Sequence, residues 1–210
     1  MKTSAIIPVK TFSNAKTRLD VDEEKKIILC KLMFEEVLKT LSASNVIDKI
    51  IVVSKDDEAL KISKQFNTIS LADDETGVNA AVAIADDYVK KNDFDISLVF
   101  PQDIPFIKTQ DIDFLLQFQT PPKFSLIVPS RRFDGTNALV RMPVDLMKTH
   151  YDEDSYKIHL TTGKSLTSHT SLVFVRRIMM DVDNLDDLRF SISQNEKPSF
   201  SRQILQILDT

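Results

Sequence analysis

The amino-acid sequence predicts an α/β protein of three layers, α/β/α, in which helices cover both faces of a mostly parallel sheet. Short apolar runs of strand length alternate with longer stretches whose apolar residues recur at helical spacing, the pattern of successive βαβ units. The composition, 42% hydrophobic and 28% charged over 210 residues, belongs to a chain that can bury a sizeable core. No Pro/Ser/Gly linker, internal repeat or low-complexity tract breaks the rhythm, so residues 1–210 are expected to form one domain.

Residues 4–9 are a short apolar run that ends in a polar loop. Residues 24–41 follow with apolar side chains at 27, 28, 32, 34, 37, 38 and 41, an amphipathic helix. KIIVVS (49–54) reads as a buried strand, 56–66 as a helix, 68–71 as a strand, 78–91 as a helix and 96–100 as a strand. A helix over 111–118, the punctuating pair Pro121 and Pro122, and a strand over 124–128 continue the series. Then come the loop SRRFDGTN, a strand-like ALVRM, a helix from Asp154, a strand LVFVR (172–176), the acidic DVDNLDDL and a last amphipathic helix from Ser201.

Charge and cysteine content narrow the function. With 27 basic against 31 acidic residues the formal charge is −4, which gives no global attraction to nucleic acid or an anionic membrane. Cys30 is the only cysteine, so an internal disulfide and a thiolate metal cluster are both excluded, and its helical neighbours predict a buried spacer. The first apolar run is too short for a signal peptide and no run reaches membrane-spanning length, so a cytoplasmic location is expected.

Only three glycines occur, where average usage would supply about fifteen. Gly77, Gly135 and Gly163 stand far apart, so the chain has neither a Walker A loop nor a G-x-G-x-x-G turn, and any phosphate site must rely on side chains. Ligands of open α/β sheets sit beyond the carboxyl ends of the strands, which directs attention to the residues just after each strand.

The first such loop, PVKTFSNAKTRL, carries Lys10, Lys16 and Arg18, cations suited to a triphosphate; a solvated basic loop is the plain alternative. PQDIP brings Asp103 to the end of a buried strand between two prolines, where one carboxylate can serve Mg²⁺ together with substrate phosphates, or can cap the turn that follows. In DVD, an extended backbone turns Asp181 and Asp183 to one face, suiting a metal; Asp183 also stands where a helix cap belongs. Gly77 and Asn79 open a helix whose free N–H groups and amide suit a nucleobase or ribose. Arg131, Arg132, Gly135, Thr136 and Asn137 share a loop fit for an anionic substrate. His159 lies four residues after Ser155 on one helix face, as general base, phosphate donor or polar surface. Without a Cys or Ser/His/Asp arrangement, a covalent enzyme intermediate is disfavoured, leaving metal-assisted phosphoryl or nucleotidyl transfer.

Taken in order, IPVKTFSNAKTRL, GVNAAVAIA, PQDIPF, GTNAL, DSYKIHL and DVDNLDDL resemble the 2-phospho-L-lactate guanylyltransferase family of coenzyme F-420 biosynthesis, over residues 6 to about 188. The resemblance implies the nucleotide-diphospho-sugar transferase (GT-A-like) fold. It also implies a reaction of GTP with 2-phospho-L-lactate that gives lactyl-2-diphospho-5′-guanosine and pyrophosphate, with an Mg²⁺ requirement. It assigns Lys10, Lys16 and Arg18 to the GTP phosphates, Gly77 and Asn79 to the base, and Asp103 with Asp181 to metal. Thr136 and Ser155 are assigned to the phosphorylated acid, with Asn137 and His159 beside them. The family often has glycine three residues before that serine, where this chain has Asp152. Two other expectations stand beside this one: a nucleotidyltransferase of the same fold with phosphoenolpyruvate, a sugar phosphate or a cofactor precursor as acceptor, and a GTP-binding regulator without catalysis. The LVFVR pattern and the late helix serve the core or a homodimer contact equally well.

Overall fold

The apolar runs assemble into one seven-stranded sheet in the computed structural model, which describes residues 1–152 and 154–209. Its strands are β1 (Thr3–Val9), β2 (Lys49–Ser54), β3 (Ile69–Ala72), β4 (Ile96–Val99), β5 (Phe124–Pro129), β6 (Thr136–Met142) and β7 (Thr170–Leu172). They lie in the order β3-β2-β1-β4-β6-β5-β7, and every pairing is parallel except the two made by β6. The reversal of β6 positions the site, because the first residues of β6 reach the edge where β1 and β4 end.

Alternation along β1 sends neighbouring side chains into two separate cores. Ala5, Ile7 and Val9 pack with Leu29, Phe34 and Leu38 of α1 (Glu23–Ser42), Ile112 of α4 (Thr109–Leu116) and Ile204 of α7 (Pro198–Asp209). Ile6 packs on the opposite face with Ala81, Val82 and Val89 of α3 (Val78–Lys91). The remaining helices are α2 (Asp57–Lys64), α5 (Ser155–Leu166) and α6 (Leu185–Ser193). Cys30 is buried in α1, and burial pushes its thiol up to about 11, as expected of a spacer.

Boundaries move by a few residues, the helix expected over 111–118 lying at Thr109–Leu116, and two of the shifts bear on packing. The strand expected over 172–176 pairs with β5 over Thr170–Leu172. The Val173 N–H still donates to the Ile127 carbonyl at 2.8 Å, but beyond it the chain leaves the ladder, with Val173 and Val175 buried and Phe174 exposed. The final helix begins at Pro198, three residues before Ser201; proline is favoured in a first helical turn because the N–H it lacks would be unpaired there.

Glycine scarcity has two visible consequences. At Gly163 in α5, an added Cβ would lie 2.5 Å from Ser125 Oγ and 2.8 Å from Thr170 Cγ2, so the helix approaches the sheet too closely for any side chain. Elsewhere, left-handed backbone falls on residues that carry side chains, among them Lys16 (φ 54°) and Phe133 (φ 57°).

Candidate active site

A cavity of about 420 Å³ opens at the carboxyl edge of the sheet, where Lys10, Lys16, Arg18, Asp103, Thr136, Asn137, Ser155, Asp181 and Asp183 all contribute to its wall. Five separate stretches of sequence thus converge on one place. The first loop leaves β1 through a short 3₁₀ turn at Phe12–Asn14, with Phe12 buried as its anchor, so that Lys16 folds back over the sheet edge. Asp103 follows β4, and its carbonyl accepts a 2.9 Å hydrogen bond from the Val182 N–H. This bond draws the DVD segment alongside: Val182 enters the core and Asp181 and Asp183 line the cavity, the shared face that an extended backbone predicts.

Lys16 joins the acidic groups. Its ammonium lies 2.5 Å from Asp103 Oδ2 and 2.7 Å from Asp183 Oδ1, with its side chain only 8% exposed. Burial alone would lower its pKa, yet the two carboxylates outweigh burial and raise it, so the ammonium stays charged. The backbone at Lys16 is left-handed, a conformation that costs a residue with a side chain about 1–2 kcal/mol. Burial likewise pulls Asp183 upward, but Lys16, Arg132 and Arg18 hold its carboxyl below the ordinary value. Asp183 is not the helix cap: Asn184 caps α6, its side chain accepting from the Asp187 N–H at 3.0 Å. Nor does Asp103 cap a helix, since α4 begins at Thr109 and Asp111 closes its first turn on the Lys108 N–H.

Asp181 forms no ion pair among the described residues. It accepts one hydrogen bond from Asn137 Nδ2 at 3.0 Å, while burial and the nearby Asp103 push its pKa up to about 6. Asp103 also keeps Oδ1 buried with no hydrogen-bond partner among the described residues. A divalent cation would relieve both conditions, so this pair fits Mg²⁺. Among the described residues no group of three or more His, Cys, Asp or Glu forms a ready-made metal cage. Mg²⁺ does not require one, because it takes one or two carboxylates and completes its shell with water and substrate phosphate.

The other side of the cavity is a hydroxyl shelf. Thr136 Oγ1 accepts from Ser155 Oγ at 3.1 Å and lies 2.9 Å from His159 Nδ1. His159 Nε2 accepts the His150 backbone N–H at 2.8 Å, so in the neutral ring the proton must reside on Nδ1, which donates to Thr136. Burial, with Arg141 and His150 adding to it, lowers His159 to about 4. It is 1% exposed and stays neutral at physiological pH, so it serves neither as polar surface nor as a cationic phosphate donor, and it does not itself line the cavity. With two hydrogen bonds already received, the Thr136 hydroxyl has its own proton free to donate into the cavity.

Four expected residues have other surroundings. Arg131 donates to Asp187 at 2.9 Å, and Arg132 grips both Asp187 oxygens at 2.7 Å and Asp183 at 3.2 Å. Both arginines are therefore paired with DVDNLDDL. The Asn79 amide is committed as well: its Oδ1 accepts from the Tyr151 N–H at 2.8 Å and its Nδ2 lies 3.5 Å from Asp152. Gly77 lines a smaller recess beside the main cavity. Asp187, which anchors the arginines from α6, escapes sequence reasoning because its partners lie more than fifty residues away.

The sheet order, with one reversed strand, and the basic loop facing strand-end carboxylates define a nucleotidyltransferase. Residues 3–206 match the protein family described as guanylyl transferase CofC like, and the chain belongs to that family of enzymes. It is 31% identical over 192 residues to phosphoenolpyruvate guanylyltransferase of Conexibacter woesei, covering 90% of this chain and 86% of that one. It is 30% identical over 209 residues to 2-phospho-L-lactate guanylyltransferase of Methanobrevibacter smithii, covering 96% and 89%. A solved structure from Desulfovibrio desulfuricans G20, described as a nucleotide-diphospho-sugar transferase, superposes with a TM-score of 0.78 at 16% identity over 100% of this chain and 95% of its own, a likeness of fold. Membership of a guanylyltransferase family sets aside the reading as a regulator without catalysis. Among the described residues no helix is long and apolar enough to cross a membrane.

Proposed function

We propose that the protein transfers the guanylyl group of GTP to 2-phospho-L-lactate, giving lactyl-2-diphospho-5′-guanosine and pyrophosphate, as a step of coenzyme F-420 biosynthesis. One observation carries the reading: a single cavity holds three cations of the first loop, an Asp103 oxygen without a partner, and a Thr136 hydroxyl with its proton free to point inward. Lys10 and Arg18 meet the triphosphate directly and Lys16, held between Asp103 and Asp183, adds a third positive charge beside it, so that side chains do what a glycine-rich loop does with backbone N–H groups. Asp103 and Asp181 hold Mg²⁺, which when bound neutralises charge on the triphosphate and on the departing pyrophosphate.

Thr136 and Ser155 orient the phosphate of the acid. One of its oxygens attacks the α-phosphorus of GTP, a new P–O bond forms, the bond to the β-phosphate bridging oxygen breaks, and pyrophosphate leaves. The attacking phosphate is ionised near neutral pH, so no strong general base is required, consistent with the neutral, enclosed His159. Catalysis is then positioning and charge neutralisation.

Phosphoenolpyruvate is the second acceptor to weigh, because the 31% identical relative carries that name; like phospholactate, it is a three-carbon carboxylic acid phosphorylated at C2. The test is to incubate the protein with Mg²⁺, each nucleoside triphosphate in turn and either acid, following pyrophosphate. Release with GTP and phospholactate at the higher kcat/KM supports the first reading; preference for phosphoenolpyruvate replaces the acceptor; no release in any combination overturns guanylyl transfer.

A further inference from the structure

The recess beside the main cavity is bounded by Pro8, Lys10, Asp73, Glu75, Gly77 and Val78, and it shares Pro8, Lys10 and Val78 with the cavity. A ligand whose phosphates lie over Lys10 therefore reaches the recess with its other end. Asn79, which the sequence offers for the base, has its amide oxygen engaged by the Tyr151 N–H at 2.8 Å and its Nδ2 3.5 Å from Asp152. Of the two carboxylates in the recess, Glu75 is also committed, accepting from Thr11 Oγ1 at 2.6 Å and the Thr11 N–H at 3.2 Å. Asp73 is different: its Oδ1 is shielded from solvent and has no hydrogen-bond partner among the described residues. Shielding raises its pKa, against the Glu75 backbone N–H that its carboxylate also meets, and the neighbouring Glu75 and Asp74 charges add to the rise. The wall facing it is open, since nothing lies within 4 Å of where a Cβ would sit on Gly77, whose φ of 132° suits only glycine.

A flat heterocycle with adjacent N–H donors satisfies such a carboxylate. Guanine presents two side by side, N1–H and the 2-amino group; adenine presents an acceptor at N1. We propose that Asp73 is the specificity-determining residue for the nucleobase, accepting both guanine donors on its carboxylate. This inference rests on the reading that GTP is the nucleotide. Unpaired buried acceptors facing adenine N1 would disfavour ATP, the usual source of strong discrimination at a site built around a hydrogen bond.

Xanthosine triphosphate provides the decisive probe, because it replaces the 2-amino donor by a carbonyl acceptor. An asparagine at this position would donate to that carbonyl and still accept from N1–H. The experiment compares GTP, ATP and xanthosine triphosphate on wild type, Asp73→Asn and Asp73→Ala, by kcat/KM and by calorimetric binding, on proteins whose melting curves show them folded. The preference for xanthosine triphosphate relative to GTP is expected to rise about a hundredfold in Asp73→Asn. Asp73→Ala should lose preference for GTP without gaining the xanthine nucleotide, which keeps the test decisive if the asparagine variant does not fold. Unchanged nucleotide ratios in a folded variant, or wild type binding GTP and ATP alike, would overturn the assignment. Wild type that binds GTP but releases no pyrophosphate would instead defeat the transfer reading, and the binding ratios would still decide Asp73.

Discussion

The Lys16 ammonium stands 2.5 Å from Oδ2 of Asp103, a residue 87 positions further along the chain. This pair ties the loop after β1 to the end of β4, and the 2.7 Å bond from the same ammonium to Asp183 adds a third segment, the acidic DVD. A single cation thereby sets the spacing of the carboxylates. Lys16→Met is expected to lower kcat by about 10²–10³, the scale of losing a group that stabilises transition-state charge. It should also lower Tm, because two partly buried carboxylates lose a partner. Steady-state kinetics and thermal melts check both; unchanged turnover would remove Lys16 from the chemistry.

Asp181→Asn is expected to stabilise the metal-free protein while abolishing most turnover. The Asp181 carboxyl has a folded pKa of about 6 against an ordinary 3.8. Between these values the folded state keeps a proton that the unfolded chain has lost. The stability this group contributes below pH 3.8 therefore disappears as pH rises through 6, leaving a cost at neutral pH. The amide removes that cost, so the variant should gain about 1–2 kcal/mol over wild type at pH 7.5 and nothing below pH 4. Urea titrations at the two pH values check it, and wild-type turnover at limiting Mg²⁺ should rise with pH through about 6.

His159 makes the opposite prediction in acid. Its folded pKa is about 4 against an ordinary 6.5, so as pH falls across that window the unfolded chain takes up a proton that the folded protein refuses. Stability from this site is full above 6.5, falls between 6.5 and 4, and is flat below. His159→Asn should lack that component of the acid limb, visible as a stability difference from wild type that narrows as pH drops. The pH–rate profile should carry no His159 limb between pH 6 and 8; a titration there with the wild-type ring, lost in the variant, would show that the imidazole is not held neutral.

Gly163→Ala should destabilise by about 1–3 kcal/mol, because the new methyl has to displace Ser125 and Thr170 or lift α5 from the sheet. Chemical denaturation measures it, and wild-type stability would mean that α5 sits further from β5 than 2.5 Å allows.

Local signals made much of this molecule legible. Buried runs such as KIIVVS gave strands, helical spacing over 24–41 gave α1, and the strand-end rule led to Lys16 and Asp103. Same-face reasoning for DVD agrees with the extended segment that the Val182 to Asp103 hydrogen bond holds in place. Partnerships between distant segments were not legible. Arg131 and Arg132 look like substrate cations until Asp187 of α6 pairs with them, and Asn79 looks free until Tyr151 and Asp152 reach its amide. Asp73 obeyed the strand-end rule, since it directly follows β3, but it stood in an acidic run that reads as solvated surface.

The most direct measurement follows the α-phosphorus of GTP. With GTP labelled at that phosphorus, Mg²⁺ and 2-phospho-L-lactate, the label should move into a product that also carries the acid, with one pyrophosphate released for each, and folded Asp103→Asn should form almost none. Label remaining in GTP, or an equal rate in folded Asp103→Asn, would contradict guanylyl transfer at this cavity.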